Sequence, residues 1–193
     1  MAQARVEVAG QCVGAIDQGL LVLVCAEPSD TDVQATRLVD KLLKLRIFSD
    51  GAGKMNRSVQ DVAGLTVGAI AQGLLVLVCA EPADTEVQAS KIVDKLLKLR
   101  IFSDDAGKMN RSVQDVGGGL LIVSQFTLAA DVSGGNRPSF TGAAPPLLGR
   151  ALYGAVLRIA RERHPMVAYG EFGADMQVHM VGDGPVTIPI TVR

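Results

Sequence analysis

Leu74-Leu75-Val76-Leu77-Val78-Cys79-Ala80, seven apolar or small residues without a charge, is followed by Thr85 and then by Ala89, Ile92, Val93, Leu96 and Leu97. The first stretch has the length of a strand, and its unbroken apolar run suits one covered on both faces. The second sets apolar side chains at i, i+3, i+4, i+7 and i+8, which places them on one face of a helix. Thr85 and Gln88 stand at capping-box spacing and fix where that helix starts. Lys98 marks its end.

The same stretch occurs earlier in the chain. Residues 13–64 and 67–118 align without a gap at an offset of 54, with 44 of 52 positions identical. The eight differences are Asp17/Ala71, Ser29/Ala83, Asp32/Glu86, Thr36/Ser90, Arg37/Lys91, Leu38/Ile92, Gly51/Asp105 and Ala63/Gly117. They are mostly mild and leave the apolar pattern intact, so Leu20 to Ala26 and Ala35, Leu38, Val39, Leu42 and Leu43 predict a second strand and helix. Two near-identical units before an unrelated half do not make a solenoid, which needs three or more stacked, drifted repeats. A domain with one place for this segment uses one copy natively, and the other is extruded or swapped into a partner. Copy 2 runs straight into the unique half and is expected to hold that place. The predicted division is residues 1–66, the N-terminal hairpin and redundant copy, and residues 67–193, the complete domain.

Outside the strand-helix unit, Arg5 to Val8 alternates and turns through Gly10-Gln11 into Val13 to Ile16, a hairpin. Each copy continues as strand, Gly-rich turn and strand over 46–59 and 100–113. Leu120 to Val123 is a further buried strand. A helix starts after Pro145-Pro146, favourable at a first turn, and runs to Arg163 with Leu148, Ala151, Leu152, Ala155, Val156 and Ile159 on one face. Two late strands are expected at Met176–Val181 and Val186–Val192, the latter at an edge because Pro189 interrupts it. The fold class is α+β, with largely antiparallel, barrel-like sheets and three helices, one of them the extra helix from the duplicated segment.

A chain of 193 residues with 48 % hydrophobic content can fill a sizeable core. It contains no apolar run of membrane-spanning length, and Met1 to Arg5 lacks a signal-peptide core, so a cytoplasmic protein without a membrane partner is expected. Net charge −1 excludes broad electrostatic tracking of a polyanion, so a nucleic acid would be held locally. Cys25 and Cys79 are one position in two copies, lie in apolar runs and read as core residues rather than reactive thiols. No disulfide framework, metal-ligand spacing or cofactor motif is present.

GxSxG and HExxH are both missing, and His164 and His179 are the only histidines, so a Ser-His-acid triad is not expected. His179 reads as a structural histidine in an alternating strand. Ser124-Gln125-Phe126-Thr127 lies where a buried strand ends, either to complete the sheet's hydrogen bonds or to present polar groups and backbone N–H donors to a ligand. Gly182 to Thr187 is either a plain hairpin turn or a rigid presenter of two carbonyls, since an X-Pro bond such as Gly184-Pro185 adopts the cis form cheaply.

Ser124 to Asp131 and Asp183-Gly184-Pro185-Val186-Thr187 resemble the two signature motifs of D-aminoacyl-tRNA deacylases. Arg100 to Asp104, Gly107 to Asn110, Arg137 to Phe140 and Phe172 to Val178 are similar to that family in the same order. The resemblance implies hydrolysis of the ester between a D-amino acid, or glycine, and the terminal adenosine of tRNA. It also implies a homodimer, no cofactor and no metal. Ser124, Gln125, Phe126 and Thr127 would line the pocket for the aminoacyl-tRNA 3′ end, and Met109 would lie near the adenine. Gly184, Pro185, Val186 and Thr187 would form a Gly-cisPro wedge that enters the partner's pocket and excludes L-amino acids. Two features differ from the family pattern: the strand expected before the hairpin is not matched by residues 1–5, and Gly182 stands where asparagine is usual. They give weight to a competing function, a nucleic-acid-binding or scaffold homologue without turnover.

Overall fold

The computed structural model describes residues 3–17, 20–44 and 66–193. Its contacts divide the chain into two units, residues 1–59 with 135–138, and residues 60–134 with 139–193. The strand-turn-strand expected over 46–59 lies outside the described residues.

In the first unit β1 (Ala4–Val8) and β2 (Gln11–Ile16) form the expected hairpin. Ala9 and Gly10 turn it with φ of 50° and 76°, the positive angles that match a two-residue turn to strand twist. Leu20 to Ala26 is not a strand, contrary to expectation, and Leu21, Leu23 and Val24 are exposed. An apolar run becomes a strand only where neighbours supply ladder partners, and none pair with it among the described residues. Helix α1 (Asp32–Lys44) forms as expected. Its capping is local: the Thr31 N–H donates to Gln34 Oε1 at 3.0 Å and Thr31 Oγ1 accepts from the Val33 N–H at 3.3 Å.

The second unit runs β3 (Gly73–Val78), α2 (Glu86–Lys98), β4 (Phe102–Ser103), β5 (Met109–Arg111), β6 (Gly119–Ser124), α3 (Pro146–Arg163) and β7 (Val167–Tyr169). Strands β4 and β5 pair antiparallel, but the central sheet, order β3-β6-β7, is wholly parallel. This corrects the antiparallel expectation, and no closed barrel occurs among the described residues. The reason was present in the sequence: continuous apolar strands separated by helices are crossover units, which return parallel.

Residues 176–181 and 186–192 are likewise not strands. Met180, Val181, Val186 and Ile188 are exposed, Val181 at 97 %. Alternation marks a half-buried strand only if a sheet edge receives it, and no described strand pairs with these residues. His179, expected in one of those strands, is exposed, and Cys25 is exposed with Cys79 half-buried rather than in the core.

The core lies between the sheet and the α2–α3 pair. Val76, Leu120 and Ile122 from the strands meet Ala89, Val93, Leu96 and Leu97 from α2 and Tyr153, Val156, Ile159 and Ala160 from α3. Each fully buried side chain of this kind contributes ~1.5–3 kcal/mol. Val93 is 0 % exposed, whereas its counterpart Val39 in α1 is 54 % exposed. Glycine is required where β3 meets β6, because a Cβ at Gly73 would come within 2.0 Å of the Gly119 carbonyl oxygen. His164 caps α3, its N–H bonded to Ala160 O and its ring Nε2 2.8 Å from Gly118 O. No described helix is long and apolar enough to cross a membrane.

Candidate functional site

Strand β6 delivers Ser124 to the carboxyl end of the parallel sheet, opposite Val78 of β3. In open α/β sheets the strands' carboxyl ends are where ligands bind, because loops diverge there and leave backbone donors exposed. The Gln125 N–H extends the ladder by one bond, donating to Val78 O at 2.7 Å. The backbone then tightens into a 3₁₀ turn, Phe126–Ala129. Within it the Leu128 N–H donates to Gln125 O at 3.2 Å, and beyond it the Ala130 N–H donates to Thr127 O at 3.1 Å. A 3₁₀ turn has no internal acceptors for its first N–H groups, here those of Phe126 and Thr127.

Side chains complete the strand end. The Gln125 amide Nε2 donates to Thr127 Oγ1 in a short contact, both residues half-buried. This occupies one lone pair of the Thr127 hydroxyl and leaves its proton free to donate. Phe126 is exposed, with its ring edge-on to Phe140 at 5.1 Å and 74°. Its carbonyl receives the Cys79 thiol at 3.7 Å. Burial pushes that thiol above its ordinary range, so Cys79 stays protonated and acts as a weak donor rather than a nucleophile. Two residues before Ser124 on β6, Ile122 O lies 2.9 Å from the buried Tyr153 hydroxyl, which also reaches Gly170 O at 2.7 Å.

Met109 is exposed on β5 and faces Ser103 in register. Its strand is braced by Asn110, whose carbonyl and Oδ1 accept from Arg100 at 2.8 Å and whose Nδ2 donates to Asp104 at 2.7 Å. Asp104 also accepts from the Ala106 and Lys108 N–H groups at 2.9 Å. The Asn110 side-chain bond, then the Lys108 backbone bond, hold its carboxyl below the usual range. Among the described residues no cluster of His, Cys, Asp and Glu could hold a metal ion.

Gly184, Pro185, Val186 and Thr187 form an exposed turn. Gly184 has φ +113°, open to glycine alone, and every described peptide bond is trans, including Gly184-Pro185, which corrects the cis expectation. Ser124, Gln125, Phe126 and Thr127 are brought together. No hydrogen bond among the described residues joins them to Met109 or to the 184–187 turn.

The D-Tyr-tRNA(Tyr) deacylase family profile matches residues 1–67 and again residues 62–191. The chain belongs to the D-Tyr-tRNA(Tyr) deacylase family. It is 72 % identical over 130 residues to the D-aminoacyl-tRNA deacylase of Variovorax paradoxus (strain S110), covering 67 % of this chain and 89 % of that one. To the D-aminoacyl-tRNA deacylase of Polaromonas naphthalenivorans (strain CJ2) it is 69 % identical over 136 residues, covering 68 % and 88 %. Among solved structures it is similar to the c-Myc DNA Unwinding Element Binding Protein, at 39 % identity and a TM-score of 0.65, covering 70 % of this chain and 92 % of that one.

In this deacylase-family chain three supporting residues were missed by sequence reasoning. Phe140 abuts Phe126, Cys79 bonds the Phe126 carbonyl, and Tyr153 ties β6 to β7. Only Phe140 carried a signal, since it stands in one of the family-like phrases. Tyr153 lies on the apolar face of α3, where its hydroxyl had to find a partner once buried.

Proposed function

We propose that the chain hydrolyses the ester of D-aminoacyl-tRNA, releasing free tRNA and the D-amino acid. The carrying observation is the end of β6, where the Gln125 amide donates to Thr127 Oγ1 and a 3₁₀ turn opens at Phe126, its first N–H groups without acceptors inside the turn. Such a site stabilises charge better than it creates a nucleophile. The Thr127 oxygen already accepts from Gln125, whose amide is no base, so it is not the attacking group. Water attacks the ester carbonyl, assisted by the neighbouring 2′-hydroxyl of the terminal ribose. The Phe126 and Thr127 N–H groups receive the oxyanion, at ~3 kcal/mol per donor. Collapse expels the ribose 3′-oxygen, which takes a proton.

Selection of hand is assigned to the main chain at Gly184-Pro185, acting in a partner's pocket within a homodimer. The supporting features are the exposure of that turn and the apolar side chains left exposed from Met180 to Ile188. Any barrel closure belongs to that dimer, and Met109 would face the terminal adenine. Cytoplasmic residence follows from the substrate. The test is deacylation of D-Tyr-tRNA against L-Tyr-tRNA. Release from the D-form with the L-form intact supports the proposal, and equal release rejects the chiral filter.

A second reading, nucleic-acid binding without turnover, is favoured by the similarity to the c-Myc DNA Unwinding Element Binding Protein. Retention of nucleic acid in a gel shift with both esters left intact would select it.

A further inference from the structure

The two copies of the duplicated segment differ in fate but not in the residues that decide it. We infer that they compete for one place in the fold, so that residues 13–64 can replace residues 67–118 against α3 and β6 within the same chain. This exchange does not depend on the deacylase reading.

Every core residue that copy 2 contributes has an identical counterpart. Val76, Ala89, Val93, Leu96, Leu97 and Val113 are buried, and copy 1 carries Val22, Ala35, Val39, Leu42, Leu43 and Val59 at the same offsets. The close approaches are matched as well. A Cβ at Gly68 would lie 2.6 Å from Tyr169 O, at Gly73 2.0 Å from Gly119 O, and at Gly118 3.2 Å from Gln72 O. Copy 1 has Gly14, Gly19 and Gly64 there. The capping box recurs as Thr31 and Gln34, already bonded in the described α1.

Ile92 packs against the core where copy 1 has its isomer Leu38; the other differences lie at the periphery. Glu86 pairs with Arg158 at 2.8 Å, where copy 1 offers the shorter Asp32. Ser90 accepts from Arg163 at 3.0 Å, and Thr36 keeps that hydroxyl. Lys91 donates to Arg193 O at 2.7 Å, and Arg37 keeps the cation. Asp105 pairs with Arg111 at 2.8 Å, and Gly51 cannot. Exposed pairs of this kind discriminate weakly. The one backbone conflict is Gly117, whose φ is +60°, where copy 1 has Ala63 and an L side chain is strained. Displacing copy 2 turns it into a loop between residues 64 and 119, and closing a loop grows only logarithmically harder with length. In return copy 1 brings with it the hairpin that precedes it.

Val93→Asp buries a carboxylate in the core and would unfold a chain with a single copy. With exchange, Val93→Asp remains folded, and amide hydrogen exchange shows protection moving from residues 86–98 to residues 32–44, in peptides told apart by Asp32/Glu86, Thr36/Ser90, Arg37/Lys91 and Leu38/Ile92. The double variant Val39→Asp/Val93→Asp unfolds, and Val39→Asp alone keeps the parent's melting. In the otherwise unaltered chain, Gly117→Ala with Ala63→Gly raises the copy 1 population about tenfold, ~1.4 kcal/mol. The inference is overturned if Val93→Asp melts as the double variant does. It is equally overturned if rescue appears only as protein concentration and molecular mass rise together, which would place the exchange between chains.

Discussion

Replacing Tyr153 by phenylalanine removes the oxygen that links α3 to Ile122 of β6 and to Gly170, and leaves the ring in place. The hydroxyl contacts Ile122 O and Gly170 O, but Ile122 O also accepts the Gly170 N–H at 2.9 Å. The loss therefore falls on Gly170 O, one buried acceptor without its donor, at ~1–2 kcal/mol. At about 2–4 °C per kcal/mol for a chain of this size, Tm drops by ~2–8 °C. Alkaline pH gives a second signature. Burial raises the Tyr153 hydroxyl from its ordinary 10.0 to about 12, so the folded state favours the neutral phenol. That contribution is complete below the unfolded value near 10 and is lost as pH rises toward 12, by ~1.4 kcal/mol per unit or ~2–3 kcal/mol in all. Phenylalanine has no such dependence. Urea midpoints for both proteins from pH 7 to 12 should show a constant gap up to about pH 10 that then closes and reverses. An unchanged Tm at neutral pH, or a gap that stays flat through pH 12, would refute the reasoning.

Thr127→Val should lower D-Tyr-tRNA deacylation by about tenfold or less in single-turnover assays, whereas a loss of ~10⁴ would make Thr127 the nucleophile after all. Phe140→Ala removes the edge contact on Phe126, ~0.5–1.5 kcal/mol, and should raise KM for aminoacyl-tRNA ~2–10-fold with Tm nearly unchanged. Pro185→Ala loosens the 184–187 turn and should raise L-Tyr-tRNA hydrolysis relative to the D-form by about tenfold, read by parallel time courses. In acid, Asp104 has a depressed folded pKa, so its contribution is present above about pH 4 and is lost as pH falls through the folded value. Asp104→Asn should flatten stability against pH between 2 and 5 in urea titrations.

Local elements were legible wherever the sequence carried its own punctuation. Thr85 and Gln88 fixed the start of α2, Pro145-Pro146 the start of α3, and Gly10 the hairpin turn. Topology was less legible because pairing direction depends on what lies between strands, and the weight given to hairpin-like fragments hid two crossovers. The late strands failed for a different reason: alternation in Met176 to Val181 states what a partner strand would bury, and no described strand pairs with it. At the site, the grouping of Ser124, Gln125, Phe126 and Thr127 was legible because they are contiguous. Their supports came from residues 14 to 47 positions away in sequence, beyond the reach of any local pattern.

The paired copies carry this distinction further, because they hold composition constant. Helix α1 and helix α2 share their capping box, their length and all but four of their residues, and both are helical. Helix formation is therefore decided within thirteen residues. Burial is not: Val39 and Val93 are the same residue in the same local setting, one exposed and one sealed in the core. What differs is the packing partner: Val93 belongs to a cluster built with α3 and β6. A sequence pattern fixes which face a helix would hide. Whether that face is hidden depends on the places the rest of the chain provides, which is what the Val93→Asp and Val39→Asp/Val93→Asp variants measure.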